Sequence, residues 1–124
     1  MKDDCVFCKI IKKELPCYNI YEDDMVLVFL SINPYSLGHT LIVPKKHFVN
    51  FKDIDINYLN HILEVAKKIY NLLDERLKPD SIKLIQNNGT VQEVKHFHLH
   101  LIPLYDKEVK KMSLDEVYEI LNKK

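Results

Sequence analysis

The segment HFHLHLI, residues 96–102, alternates strictly between imidazole and apolar side chains over its first six positions. Successive side chains on a β-strand leave opposite faces, so a period of two demands extended chain. Phe97, Leu99 and Leu101 then point into a core, and His96, His98 and His100 form a row on the other, solvent-facing side. Neighbours in such a row stand roughly 6.5–7 Å apart along the strand. That spacing is too long for direct hydrogen bonds between them and suits several rings converging on one bound group, such as a phosphate. Half of the chain's six histidines lie in this row. Imidazoles titrate near neutral pH and repel one another when protonated. A merely solvated face would use Thr, Lys or Glu at less cost. Two chemistries fit the row: a metal site with histidine ligands, or a central nucleophilic imidazole whose neighbours handle charge.

The rest of the chain indicates what surrounds this strand. YNIYEDD and MVLVFLSI read as two strands of a hairpin turning at Asp23-Asp24, and HTLIV as a third strand stopped by Pro44. From about Asp55 to Lys78, Leu59, Ile62, Leu63, Ala66, Ile69, Tyr70, Leu73 and Leu77 recur at spacings of three and four, predicting one long helix with an apolar face. Asp53 or Asp55 supplies its N-cap, and Pro79 lies just past its end. His61 falls on the polar side and reads as an ordinary surface residue. SIKLIQ reads as a strand and NNGT as a turn. CVFCKIIKK makes one or two helical turns. SLDEVYEILNKK reads as a C-terminal helix with Ser113 and Glu116 forming a capping box. Strands, a long helix, then strands without regular alternation predict an antiparallel α+β domain rather than a parallel sheet. No linker, repeat or low-complexity run interrupts residues 1–124, which read as one domain.

Composition narrows the function. Lys plus Arg and Asp plus Glu both number 18, so the formal charge is zero. A balanced chain has no overall field to draw in a DNA or RNA backbone. The start, MKDDCVFCKI, carries acidic residues and no signal-peptide apolar run, and no stretch nears the ~18 apolar residues of a membrane span. A cytoplasmic location is expected, where the three cysteines stay reduced and serve metal binding, catalysis or nothing. With only Gly38 and Gly89, the chain has neither a P-loop nor a dinucleotide fingerprint.

HFHLHLI resembles, at every position, the motif of the histidine triad (HIT) family of nucleotide hydrolases and transferases. CKIIKKELP, YEDDMVLVFLSINPYSLGHTLIVPKKH and NNGTVQEVKHFHLHLIP extend the resemblance over nearly the whole chain. The resemblance implies a HIT-like fold: a five-stranded antiparallel sheet with one long helix and short terminal helices, paired as a homodimer through that helix and an edge strand. It implies a purine nucleotide or nucleotide derivative as partner. By position, His98 matches the nucleophile that attacks an α-phosphorus, His100 a phosphate contact, and His39 a fourth active-site histidine. Asn87 and Gln92 match side-chain amides of a phosphate loop, with backbone N–H groups near Glu93 and Val94. Phe7, Ile10, Phe29 and Ile32 match a base pocket, although core packing alone also accounts for them. Ser31 stands where the family often has Asp, Val91 where Gly is frequent, and Glu93 where Ser or Thr is common.

Cys5 and Cys8 form a Cys-x-x-Cys pair, too few for a tetrahedral site. Some family members and relatives add two histidines to such a pair around structural zinc. The matching positions here are His47 and His96, completing a closed Cys/His set; otherwise the pair are free thiols. His96 would then serve metal, and His98 and His100 phosphate. The expected activity is cleavage of a P–N or P–O–P bond at the α-phosphate of a phosphoramidate or dinucleoside polyphosphate. The alternatives are a hydrolase with zinc on His96, His98 and His100, and a zinc-stabilised nucleotide-binding module with little turnover.

Overall fold

The computed structural model describes residues 4–123. A short helix α1 (Val6–Ile11) precedes β1 (Asn19–Glu22), β2 (Val26–Leu30) and β3 (Thr40–Pro44). The long helix α2 (Ile56–Leu77) follows, then β4 (Ser81–Ile85), a single 3-10 turn at Gly89–Val91, β5 (Leu99–Leu104) and α3 (Leu114–Asn122). The five strands form one antiparallel sheet in the order β1-β2-β3-β5-β4.

Local signals place most of these boundaries. Asp55 caps α2 by accepting from the Asn57 N–H, and Lys78 ends it in the left-handed region at φ 50°. Ser113 and Glu116 make the reciprocal capping box at α3. At the β1–β2 turn, Asp23 Oδ1 accepts from the N–H groups of Met25 and Val26, closing the hairpin.

The sheet is covered on both faces. Helix α2 packs Ile62, Val65, Ala66, Ile69 and Leu73 against Val28, Ile42, Leu99 and Leu101. Each large aliphatic side chain buried there contributes about 1.5–3 kcal/mol. On the opposite face, Phe7, Cys8 and Ile11 of α1 close over Leu27, Phe29, Leu41 and Val43. This second layer explains why every residue of β2 and β3 is buried, as a continuous apolar run suggests.

Four expectations need correction. The strand β5 begins at Leu99, not His96. Its pairing with β3 begins with Leu99 opposite Ile42. Residues 96–98 are held otherwise: the Phe97 N–H donates to the Phe48 carbonyl. The imidazole face is also not solvent-facing along its length, because α1 covers His96 and His98, which are 0% and 5% exposed. On α2, Leu63 and Tyr70 are 50% and 39% exposed while Val65 is buried; the apolar residues run around more than one face, and the sheet selects the stripe with Val65. Finally, His61 is not an idle surface residue. Its Nε2 lies 2.6 Å from Asp23 Oδ2, which also accepts from the Tyr21 hydroxyl. Burial opposes ionisation of Asp23, but these donors and the two turn amides outweigh it and hold the carboxyl well below its usual range.

Candidate active site

Three elements meet at one end of the sheet. His98 directly precedes β5 and His100 lies on it, the residue before β3 is His39, and α1 supplies a wall. The register opposes Leu41 and His100 across β3 and β5, which brings the neighbouring His39 ring to His100. His39 Nε2 and His100 Nδ1 are 2.9 Å apart. The loop before His39 is tied down by Ser36, whose hydroxyl donates to the Pro103 carbonyl, and by the Tyr105 hydroxyl, which donates to the Leu37 carbonyl at 2.8 Å.

Backbone groups decide which ring nitrogens carry protons. The Tyr35 N–H lies 3.1 Å from His39 Nδ1, so that nitrogen accepts and the neutral ring is protonated at Nε2. His39 Nε2–H then donates to His100 Nδ1, which leaves His100 protonated at Nε2. His98 Nδ1 is 2.7 Å from the His96 carbonyl; it donates there, and the lone pair sits on His98 Nε2. His96 Nε2 donates to the Pro44 carbonyl at 2.8 Å, freeing its own Nδ1 as a ligand.

The rings are held neutral. Burial, reinforced by His98, pushes His39 down to about 4. Burial, with His98 and His39 nearby, does the same to His100. His98 is also lowered by burial, against the opposing pull of the His96 carbonyl and the Glu93 charge. At neutral pH, His98 Nε2 is therefore an unprotonated, partly desolvated nitrogen: a competent nucleophile or base.

A cavity of about 1160 Å³ opens over these rings. His39, His98 and His100 line it, as do Asn87, Glu93 and Val94 from the loop before β5. Phe7, Ile10 and Phe29 form its apolar side, with Ser31 and Ile32 at the loop after β2. Of the expected cavity residues, Gln92 alone is not brought there. It is 4% exposed, and its amide is committed to the loop: Oε1 accepts from the Gly89 N–H at 3.1 Å, and Nε2 donates to the Val49 carbonyl at 2.7 Å. Gln92 shapes the loop rather than offering a free donor. Lys95 braces the same turn, its ammonium 2.6 Å from the Gly89 carbonyl and 3.2 Å from that of Gln92. Ser31 Oγ accepts from the Asn33 N–H at 3.3 Å.

Beside the cavity lies a second cluster. One ligand atom each from Cys5, Cys8, His47 and His96 falls within 4.8 Å of the others. His96 Nδ1 is 3.4 Å from Cys5 Sγ, 3.5 Å from Cys8 Sγ and 3.1 Å from His47 Nδ1; Cys8 Sγ is 3.2 Å from His47 Nδ1. The edges of a tetrahedron with two sulfur and two nitrogen ligands at ordinary zinc distances are roughly 3.3–3.8 Å. The donor set and these separations fit a closed metal site, and the Pro44 bond orients His96 for it. The same arrangement opposes a site on His96, His98 and His100, because His96 turns its free Nδ1 to the two cysteines and His47 and commits Nε2 to the Pro44 carbonyl.

A backbone carbonyl near His98 is expected from the sequence, but sequence reasoning misses the Tyr35 N–H and the Pro44 carbonyl, which set the tautomers of His39 and His96. Backbone atoms carry no residue-type signal. Tyr35 also lays its ring 5.6 Å from His39 at 31°. Cys17, without an assigned role, lines the cavity.

Comparison with known proteins agrees with this geometry. The family model described as HIT domain matches residues 12–107. An uncharacterized HIT-like protein of Methanocaldococcus jannaschii is 44% identical over 91% of this chain and 95% of its own length. The adenosine 5'-monophosphoramidase HNT1 of Saccharomyces cerevisiae is 41% identical over 84% of this chain and 65% of the yeast protein. A Zn-bound histidine triad family protein from Mycobacterium smegmatis superposes with a TM-score of 0.87 at 31% identity, covering 96% of this chain and 91% of that one.

Proposed function

The chain belongs to the HIT domain family, and from that premise we propose that it is a hydrolase cleaving a P–N or P–O–P bond at the α-phosphate of a nucleoside 5'-phosphate derivative, with a purine nucleotide phosphoramidate as the leading substrate class. The observation that carries this reading is the tautomer of His98: Nδ1–H on the His96 carbonyl at 2.7 Å, with Nε2 left bearing a lone pair on a ring that lines the cavity. The yeast phosphoramidase relative supports the choice of bond.

In the first half-reaction, His98 Nε2 bonds to the α-phosphorus while the bond to the leaving group breaks. The bond electrons go to the leaving group, which takes a proton from solvent in the open cavity, while His100 Nε2–H donates a hydrogen bond to a phosphate oxygen. His39 holds His100 in the donating tautomer throughout. In the second half-reaction, water attacks phosphorus, the P–Nε2 bond breaks and its electrons return to His98. One water proton returns to solvent, and the product keeps the hydroxyl. Splitting one displacement into two lowers each barrier. The N–H groups near Glu93 and Val94, and the Asn87 amide, are the donors available to phosphate oxygens as charge grows there. Phe7, Ile10, Phe29 and Ile32 receive the base, and Ser31 faces the sugar.

Cys5, Cys8, His47 and His96 would hold zinc. Four protein ligands leave no open position, so the ion would supply structure by tying the N-terminal segment to the sheet. The Zn-bound mycobacterial neighbour supports that assignment. A homodimer is part of the same proposal. Ile56, Leu63 and Tyr70 are exposed apolar residues seven apart on α2, hence on one stripe, and β4 is an edge strand with Leu84 exposed. No described helix is long and apolar enough to cross a membrane, and the proposed location is the cytoplasm.

The decisive experiment is rapid quench of the protein with adenosine 5'-phosphoramidate labelled at phosphorus. An acid-labile phosphorus adduct on His98 is expected, with loss of turnover in His98→Ala. Full activity in that variant overturns the mechanism. Light scattering tests the dimer, with Leu63→Lys expected to shift it to monomer.

A further inference from the structure

The metal cluster and the nucleophile share more than a neighbourhood. His96 contributes its ring Nδ1 to the cluster, anchors Nε2–H on the Pro44 carbonyl at 2.8 Å, and uses its own carbonyl to hold His98 Nδ1–H at 2.7 Å. One residue thus bears both a metal ligand and the group that sets the nucleophile's tautomer. A second connection runs through Phe7, which lies between the two cysteines. Its ring packs edge-on against His98 (5.0 Å, 81°), against His96 (5.9 Å, 79°) and against Phe29 (5.6 Å, 68°). Phe7 and Ile10 are also cavity wall.

Helix α1 is six residues long. A helix that short does not persist on its own in water. It is held by the apolar contacts of Phe7, Cys8 and Ile11 and by whatever joins Cys5 and Cys8 to His47 and His96. The core under α2 involves none of these four residues. Loss of the metal therefore loosens α1, Phe7 and the His96 backbone while leaving the sheet and α2 folded.

We propose that Phe7 and His96 are positioning residues through which metal occupancy of the Cys5–Cys8–His47–His96 site controls the orientation of His98 and the closure of the nucleotide cavity. The site is thus a switch on the reaction as well as a staple. The activity arm rests on the hydrolase reading above; the spectroscopic arm does not.

The full chain is prepared zinc-loaded, stripped with a chelator, and reloaded. Histidine nitrogen-15 NMR follows His98 Nδ1–H, assigned by its loss in His98→Asn, and titration follows binding of adenosine 5'-monophosphate. Zinc loading is expected to give a sharp, slowly exchanging His98 Nδ1–H signal. Stripping broadens or removes it and weakens nucleotide binding at least tenfold, while far-UV circular dichroism keeps the α2 and sheet signal. Reloading restores both. Phe7→Leu, loaded with one zinc per chain, is expected to lose part of the His98 signal without losing metal, which separates packing from ligation. It also decides the matter if the stripped chain unfolds. Stripped protein that keeps the His98 signal and binds nucleotide within twofold overturns the proposal, as does failure to bind zinc or an unchanged His98 signal in loaded Phe7→Leu. If zinc-loaded protein binds no nucleotide, the hydrolase reading fails and the His98 signal alone decides the coupling.

Discussion

Gly38, directly before His39, is the most demanding backbone position in the site. Its φ is +91°, and a Cβ there would overlap Leu77 Cδ1 at the end of α2 and sit 3.3 Å from Pro103 Cγ. Two costs follow for Gly38→Ala. An alanine held at positive φ loses roughly 1–2 kcal/mol. Moving the Leu77 methyl, the far end of a half-buried side chain, adds roughly 0.5–1.5 kcal/mol for an off-rotamer conformation. The expected loss is about 1.5–3.5 kcal/mol, measured by urea unfolding. The two parts separate in a Leu77→Ala background, where the overlap vanishes and the backbone cost remains, so the same substitution then costs about 1–2 kcal/mol. A loss below about 1 kcal/mol in the parent chain, or equal losses in both backgrounds, refutes the reasoning. The substitution also displaces His39, and the 2.9 Å contact with His100 is expected to break, lowering turnover beyond what unfolding accounts for.

Stability is expected to fall with acid. The ordinary histidine value is 6.5, and His39 and His100 are pushed down to about 4; the unfolded chain therefore takes up protons that the native state refuses. The stabilisation is complete above about 6.5 and is lost as pH falls toward about 4, by up to about 3 kcal/mol for buried His39; urea midpoints at pH 7.5, 6 and 5 that do not change contradict it. Gln92→Ala removes the bonds to the Gly89 N–H and the Val49 carbonyl, both on exposed residues that water reaches, and is expected to cost about 0.5–1.5 kcal/mol per bond, with faster exchange of the Gly89 amide; unchanged exchange means that Gln92 does not brace the loop. Ser31→Asp restores a charged acceptor at the cavity and is expected to tighten adenosine 5'-monophosphate binding roughly ten- to hundredfold, from about 1.5–3 kcal/mol. Calorimetry showing no gain means that Ser31 does not face the sugar.

Much of this architecture is legible from residue order, for identifiable reasons. The caps Asp55 and Ser113, the turn at Asp23 and the alternation through Leu99–Leu101 are local signals that the tertiary structure leaves intact. The four Cys/His positions come together as the family resemblance implies. What escapes are properties that need a partner. The start of β5 depends on the Phe97 N–H being drawn to the Phe48 carbonyl in another segment. The buried stripe of α2 is chosen by the sheet, which takes Val65 and leaves Leu63 and Tyr70 outside. Covering of the imidazole row depends on α1 folding over it. His61 looks idle until the hairpin turn delivers Asp23 to it. The phosphate-loop amide of Gln92 is drawn inward by carbonyls with no sequence mark.

The double covering of the sheet has a consequence for how such a molecule can change. The three reactive rings lie on or directly before β3 and β5, strands covered on one face by α2 and on the other by α1, whereas Ile32 and Tyr35, 71% and 80% exposed, stand on a loop at the entrance. Replacing a side chain at that entrance alters which molecules are admitted without retooling the machinery beneath. New selectivity is therefore open to single-residue steps, while new chemistry would require rebuilding the floor.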